Sequence, residues 1–215
     1  MRSGAPAIAR WRAQVLYIPP IWVQSHASEI LYSKTASAGE HDYSLLLITG
    51  SVDNTTTSPF PFLPVDVREA VAFPGDQILV ASYPAEFLGG VNAQFNLHPV
   101  SSITTIGQLY AFFAETADIF SLGSIIEAQS GSSGGAAVNM WGHLVGLVTA
   151  TSDGETTADR DLRALSMSYV NRDIAVQTGL DLAQILTGDV AAYAIDFNAR
   201  ISPILIALYL PHISL

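Results

Sequence analysis

Five consecutive residues, Gly131-Ser132-Ser133-Gly134-Gly135, combine a hydroxyl group with unusual backbone freedom. A serine serves as a nucleophile when a tight turn exposes its hydroxyl and leaves backbone N–H groups free to face the developing oxyanion. Glycine allows both the turn and a close backbone approach. Ser133 is therefore the candidate nucleophile. The same pentapeptide has the composition of a flexible linker, so the flanks must decide. Upstream, Ser124 to Ala128 reads as a strand. Downstream, Ala136 to Asn139, a turn at Trp141-Gly142-His143 and a run from His143 to Thr149 read as a hairpin. The glycines punctuate a sheet.

The rest of the chain supplies elements that could position such a loop. Strands are expected at Ala13–Ile18, Glu29–Ser33, Tyr43–Ile48, Gln77–Ser82, Phe95–Ser102, Leu109–Phe113 and Leu165–Ser168. The Thr/Ser/Pro-rich run Ser51 to Pro59 reads as a loop, and Pro59 to Pro64 as an extended crossing between two halves. The apolar spacing from Val170 to Leu186 predicts a helix, with Asn171 placed to cap its start. Composition agrees with a packed β-rich protein: 49% of residues are hydrophobic and 13% charged.

Charge and residue usage exclude several classes of function. Nine Lys plus Arg stand against 19 Asp plus Glu, giving a net charge of −10 with no basic run. Nucleic acid and anionic membrane surfaces are not expected partners. With no cysteine there is no disulfide, thiol nucleophile or thiolate zinc site, and no histidine pair has ligand spacing. No cofactor or metal is expected. The first twelve residues lack the unbroken apolar core of a secretory signal. The C-terminal run Ile201 to Leu210 is apolar but holds Pro203 and stops at Pro211, short of a membrane span. It reads as a packed or sticky tail, with a membrane or partner contact as the alternative.

Three segments, in order, resemble the chymotrypsin-like (trypsin-like) serine peptidases in their cysteine-free bacterial form. His41-Asp42-Tyr43-Ser44-Leu45-Leu46-Leu47 resembles the motif in which the catalytic aspartate opens an apolar strand. Pro74-Gly75-Asp76-Gln77-Ile78-Leu79-Val80-Ala81-Ser82-Tyr83-Pro84 resembles the family's Gly-Asp…Tyr-Pro hairpin, and Gly131 to Gly135 matches G-x-S-G-G. Asp42 precedes Ser133 by 91 positions, against about 93 in the family's template. The likeness covers residues 13 to 187. It implies an all-β fold of two antiparallel six-stranded β-barrels, the first incomplete, with a C-terminal helix. Residues 1–70 would form the partial first barrel and connection, 71–187 the second barrel and helix, and 188–215 the apolar tail.

The resemblance also implies roles. Ser133 would attack a peptide carbonyl of a protein or peptide substrate, the N–H groups of Gly131 and Ser133 would form the oxyanion hole, and Asp42 would orient a histidine base. Glu127 would occupy the base of the specificity pocket and favour Lys or Arg, where the alternative is an exposed strand glutamate. Ser132 stands where zymogens of the family carry an aspartate, which argues against activation by a newly cut amino terminus. The histidine departs from the pattern. His26, the nearest candidate for the base, lies in a turn-like segment 16 residues before Asp42, against the family's spacing of about 45. His41 would point away from Asp42 into solvent, and His98, His143 and His212 read as structural. The chain is thus expected to lack the N-terminal part carrying the histidine, and a periplasmic or extracellular setting would follow if so. Two other readings remain: a non-catalytic binding protein on the same fold, and an α/β-hydrolase, whose G-x-S-x-G turn is satisfied but whose chain order is not.

Overall fold

A computed structural model describes residues 6–26, 39–53, 61–85, 97–112, 115–151 and 156–210. In chain order the elements are β1 (Trp11–Tyr17), α1 (Pro20–His26), β2 (Leu45–Ser51), β3 (Gln77–Ser82), β4 (Val100–Thr105), β5 (Leu109–Tyr110), β6 (Ile119–Gly123), β7 (Ala136–Asn139), β8 (Leu144–Thr151) and β9 (Leu162–Ser166). Helices α2 (Met167–Thr178), α3 (Leu182–Thr187), α4 (Val190–Arg200) and α5 (Ser202–Tyr209) follow. The chain divides into two compact units. One holds Met1–Ile8 and Phe60–Arg172, the other Ala9–Pro59 and Asp173–Leu215.

The expected all-β character with a C-terminal helix is present. In the first unit, seven strands form one sheet in the order β4-β3-β7-β8-β9-β6-β5, and the paired strands run antiparallel. The sheet curls. Thr104 Oγ1 donates to Leu122 O at 2.9 Å, and Gly107 N to Ser121 O and Ser121 N to Gln108 O do so at the same length, so the β4 edge meets β6. Curling encloses a core of Ile78, Val80, Ile106, Phe120, Leu122, Val145 and Val148. Along β3 the alternation is strict: Ile78, Val80 and Ser82 are buried while Leu79 is exposed. One buried carboxylate is partnered at its margin. Asp118 accepts from Phe112 N and Thr116 Oγ1, both at 2.7 Å, and from Arg172, which also pairs with Glu69.

In the second unit, β1 and β2 pair as an antiparallel ribbon from Trp11↔Ser51 to Tyr17↔Leu45, with bulges. Among the described residues this ribbon is the sheet of the second unit. Asn198 Nδ2 of α4 donates to Val15 O of β1 at 3.4 Å, and Phe197 and Ala194 of the same helix are buried with Leu16, Val23 and Tyr43. Helix α3 starts with a capping box, Asp181 accepting from Gln184 N at 2.7 Å while Gln184 accepts from Asp181 N at 2.8 Å. Helix α4 starts at Asp189, which accepts from Ala192 N at 3.0 Å.

Several local expectations are corrected. Ser124 to Ala128 forms turns rather than a strand, because the ladder ends at Gly123 (φ +70°) in a conformation that strands do not use. The strand before the loop is instead β6, whose four consecutive buried residues hide the two-residue alternation. The helix expected over Val170–Leu186 is two helices, broken at Gly179 (φ +77°). Asn171 lies inside α2 and does not cap it. Met167 and Ser168 open α2 rather than closing β9. His26 ends a helix rather than sitting in a turn. The apolar tail is helical as α4 and α5, and Val190–Ala207 is long and apolar enough to cross a membrane by length and composition alone. Glu29–Ser33, residues 54–60, Phe95, Phe113 and His212 lie outside the described residues.

Candidate active site

The serine loop is built against the end of β3. Ser82 is the last inward-facing residue of that strand, and Tyr83 to Ala85 continue past it. Ala85 N donates to Ser130 O at 2.9 Å, which fixes where the loop begins. Gly131 then takes φ +93°, and a Cβ there would lie 2.9 Å from Ala85 Cβ and 3.0 Å from Tyr83 O. Any side chain would collide as well as strain the backbone. At the other end a Cβ on Gly135 would lie 2.7 Å from Ser82 Cβ and 2.8 Å from Ala81 O. Both outer glycines are thus required by contact with residues 81–85.

Hydrogen bonds close the loop onto the sheet. Gly134 N donates to Val148 O at 2.7 Å, Val148 N to Gly135 O at 2.8 Å and Gly135 N to Ser132 O at 3.0 Å. The Ser132 side chain turns inward, almost fully buried, and accepts from Ser82 Oγ at 3.1 Å. Ser133 faces out and is exposed, its Oγ donating to Thr149 O at 3.2 Å. Among the described residues neither Gly131 N nor Ser133 N donates to a backbone acceptor. Two uncommitted N–H groups flank an exposed hydroxyl, the condition for oxyanion stabilisation.

Glu127 lies in the turn just before this loop. It is fully buried, and neither carboxylate oxygen has a hydrogen-bond partner among the described residues. An unpaired buried carboxylate is costly, so the position calls for a cationic or hydrogen-bonding partner. The sequence-based alternative, an exposed strand glutamate, is wrong on both counts: residue 127 is buried and in a turn.

Asp42 belongs to the second unit. It is half-buried in a turn where Asp42 N donates to Gly39 O at 3.3 Å and Tyr43 N to His41 O at 3.0 Å. His41 adopts φ +59°, a left-handed conformation rarely taken outside glycine. Its ring is not solvated as expected. Nδ1 lies 2.9 Å from Asp173 Oδ1, and Nε2 lies 3.5 Å from Glu40 Oε1. Asp173, on α2, is buried and also accepts from Tyr43 OH at 2.7 Å and Gln177 Nε2 at 2.8 Å. Its charge acts further, on Tyr17. Burial first, and the Asp173 charge second, push the Tyr17 phenol up to about 12.

Sequence reasoning missed Asp173, because nothing local marks a helical aspartate as the partner of a turn 130 residues earlier. It also missed Ser82, whose strand alternation was visible but whose partner was not. His143 of the first unit sits 3.9 Å from Asp66, and the Arg68 hydrogen bond holds the Asp66 carboxyl below its usual range. That environment is a structural ion-pair cluster. The described residues contain no group of three or more His, Cys, Asp or Glu able to hold a metal ion.

No family model matches the chain, and no curated protein matches it. Solved structures do. The inactive form of Rv3671c from M. tuberculosis H37Rv, a serine-to-alanine mutant, is similar at 16% identity, over 63% of this chain and 59% of that one, with a TM-score of 0.42. Kallikrein-related peptidase 10 is similar at 22% identity, over 62% of this chain and 64% of that one, with a TM-score of 0.40. The chain therefore spans less than two thirds of either structure.

Proposed function

We propose that this chain is a serine endopeptidase of the trypsin-like type, cleaving after Lys or Arg through an acyl-enzyme on Ser133. The observation that carries this reading is the loop itself: an exposed Ser133 between uncommitted N–H groups on a glycine turn that neighbouring backbone fixes at both ends. In the reaction Ser133 Oγ bonds to the scissile carbonyl carbon and its proton passes to a general base, a role that no histidine within hydrogen-bond reach of Ser133 fills among the described residues. The carbonyl π pair moves onto oxygen, where Gly131 N–H and Ser133 N–H donate to it. Collapse breaks the C–N bond and the base returns the proton to the leaving amine, after which water releases the acid. Asp42 is proposed to orient the base. Glu127 is proposed to attract the substrate cation, since its carboxylate has no described partner of its own.

One observation favours a second reading. Ser133 Oγ donates to a carbonyl, Thr149 O, and the first unit presents no imidazole to it among the described residues. A binding protein that keeps the loop and the buried Glu127 carboxylate without acyl transfer would have this arrangement.

Fluorophosphonate labelling followed by intact mass separates the two. The peptidase reading predicts one adduct, lost in Ser133→Ala. A folded chain that takes no label supports the binding protein.

A further inference from the structure

We propose that Ser82 is a positioning residue that holds the oxyanion loop in its working shape through Ser132. The inference deepens the peptidase reading and, for its catalytic part, rests on it. Residues 81–85 touch the loop at four points. Ala85 N binds Ser130 O, Gly131 sits against Ala85 and Tyr83 O, Gly135 sits against Ser82 Cβ and Ala81 O, and Ser82 Oγ binds Ser132 Oγ. Three of these are made by backbone and Cβ atoms, which any sequence with small residues could supply. The hydroxyl pair alone depends on side-chain identity.

Its place gives it leverage. Ser132 lies between the two proposed donors, so its side-chain direction sets the peptide planes on either side, including the one that carries Ser133 N–H. Ser82 and Ser132 are 4% and 1% exposed, so water cannot replace either partner. A hydroxyl left alone there loses its hydrogen bond and keeps its desolvation cost. The loop would then turn Ser132 toward another acceptor and carry the Ser133 N–H with it. Ser82→Ala keeps the Cβ on which Gly135 rests, so it deletes the hydrogen bond and nothing else.

The test compares wild type, Ser82→Ala, Ser132→Ala and the double variant by hydrogen exchange and by fluorophosphonate labelling rate, well below each melting temperature. The Gly134 and Gly135 amides are the reporters, because they donate to Val148 O and Ser132 O. Both single variants should exchange about tenfold faster at these amides and label about tenfold more slowly. The double variant should be no worse than either single, since one pair is being removed. A lower melting temperature with unchanged loop exchange and labelling would reduce Ser82 to a packing role and overturn the proposal. Faster loop exchange in a protein whose wild type takes no label would uphold the loop-holding role and sink the peptidase reading instead.

Discussion

The serine loop of the first unit and the Asp42 turn of the second both hold a chemistry-bearing side chain on irregular backbone, but they are stiffened by opposite means. The loop is fixed by close backbone contact, with glycines where a Cβ would collide and a neutral hydroxyl pair beneath. The turn is fixed by charge: one buried carboxylate, Asp173, gathers His41, Tyr43 and Gln177, and His41 holds a left-handed conformation there. The loop should therefore fail when carbon is added, and the turn when charge is removed.

The largest stability effect is expected at the turn. Asp173→Ala leaves the Tyr43 hydroxyl and the Gln177 amide without their shared acceptor, and should destabilise the fold by about 3 kcal/mol in chemical denaturation. Gly135→Ala, by contrast, adds one carbon against Ser82 and Ala81 O, and should cost about 2 kcal/mol. An Asp173→Asn variant that stays near wild type while Asp173→Ala does not would show that hydrogen-bond number, not charge, stiffens the turn.

A finer comparison isolates the backbone term. His41→Gly and His41→Ala both remove the imidazole, but only glycine tolerates φ +59° without strain. The glycine variant should be the more stable by about 1 kcal/mol. Identical stabilities would mean that the turn relaxes once the ring is gone.

The order in which these features could be read from the sequence follows the same division. The loop, β3 and β7 were legible because glycine punctuation and alternation are local signals, and the predicted Gln77–Ser82 and Ala136–Asn139 match the strands observed. Strand β6 is not, since burial on both faces erases alternation, and the neighbouring Ser124–Ala128 carries the more strand-like pattern. The helix at residues 190–200 reads as tail in the sequence because the apolar run after it dominates the hydropathy, although Asp189 marks its start. The Asp173 cluster was illegible in principle: its members are brought together by tertiary packing, and a half-buried His41 carries no local mark.

A further effect is expected in alkali. The Tyr17 phenol is raised from 10.0 to about 12, so its neutral form is favoured in the folded state. That contribution is complete below the unfolded value near 10 and is lost as pH rises toward 12. Tyr17→Phe should flatten the stability profile across this window, read by denaturant midpoints at successive pH values. An unchanged profile would mean that neither burial nor the Asp173 charge raises the Tyr17 phenol.

The most direct measurement for the central claim is a burst titration with the 4-nitrophenyl ester of 4-guanidinobenzoate, which offers Ser133 an acyl group and Glu127 a guanidinium. The account predicts one equivalent of nitrophenol per folded chain, with the added mass on the peptide that contains Ser133, and a weaker burst in Glu127→Gln. Release without a burst, or acyl mass on any other residue, would contradict it.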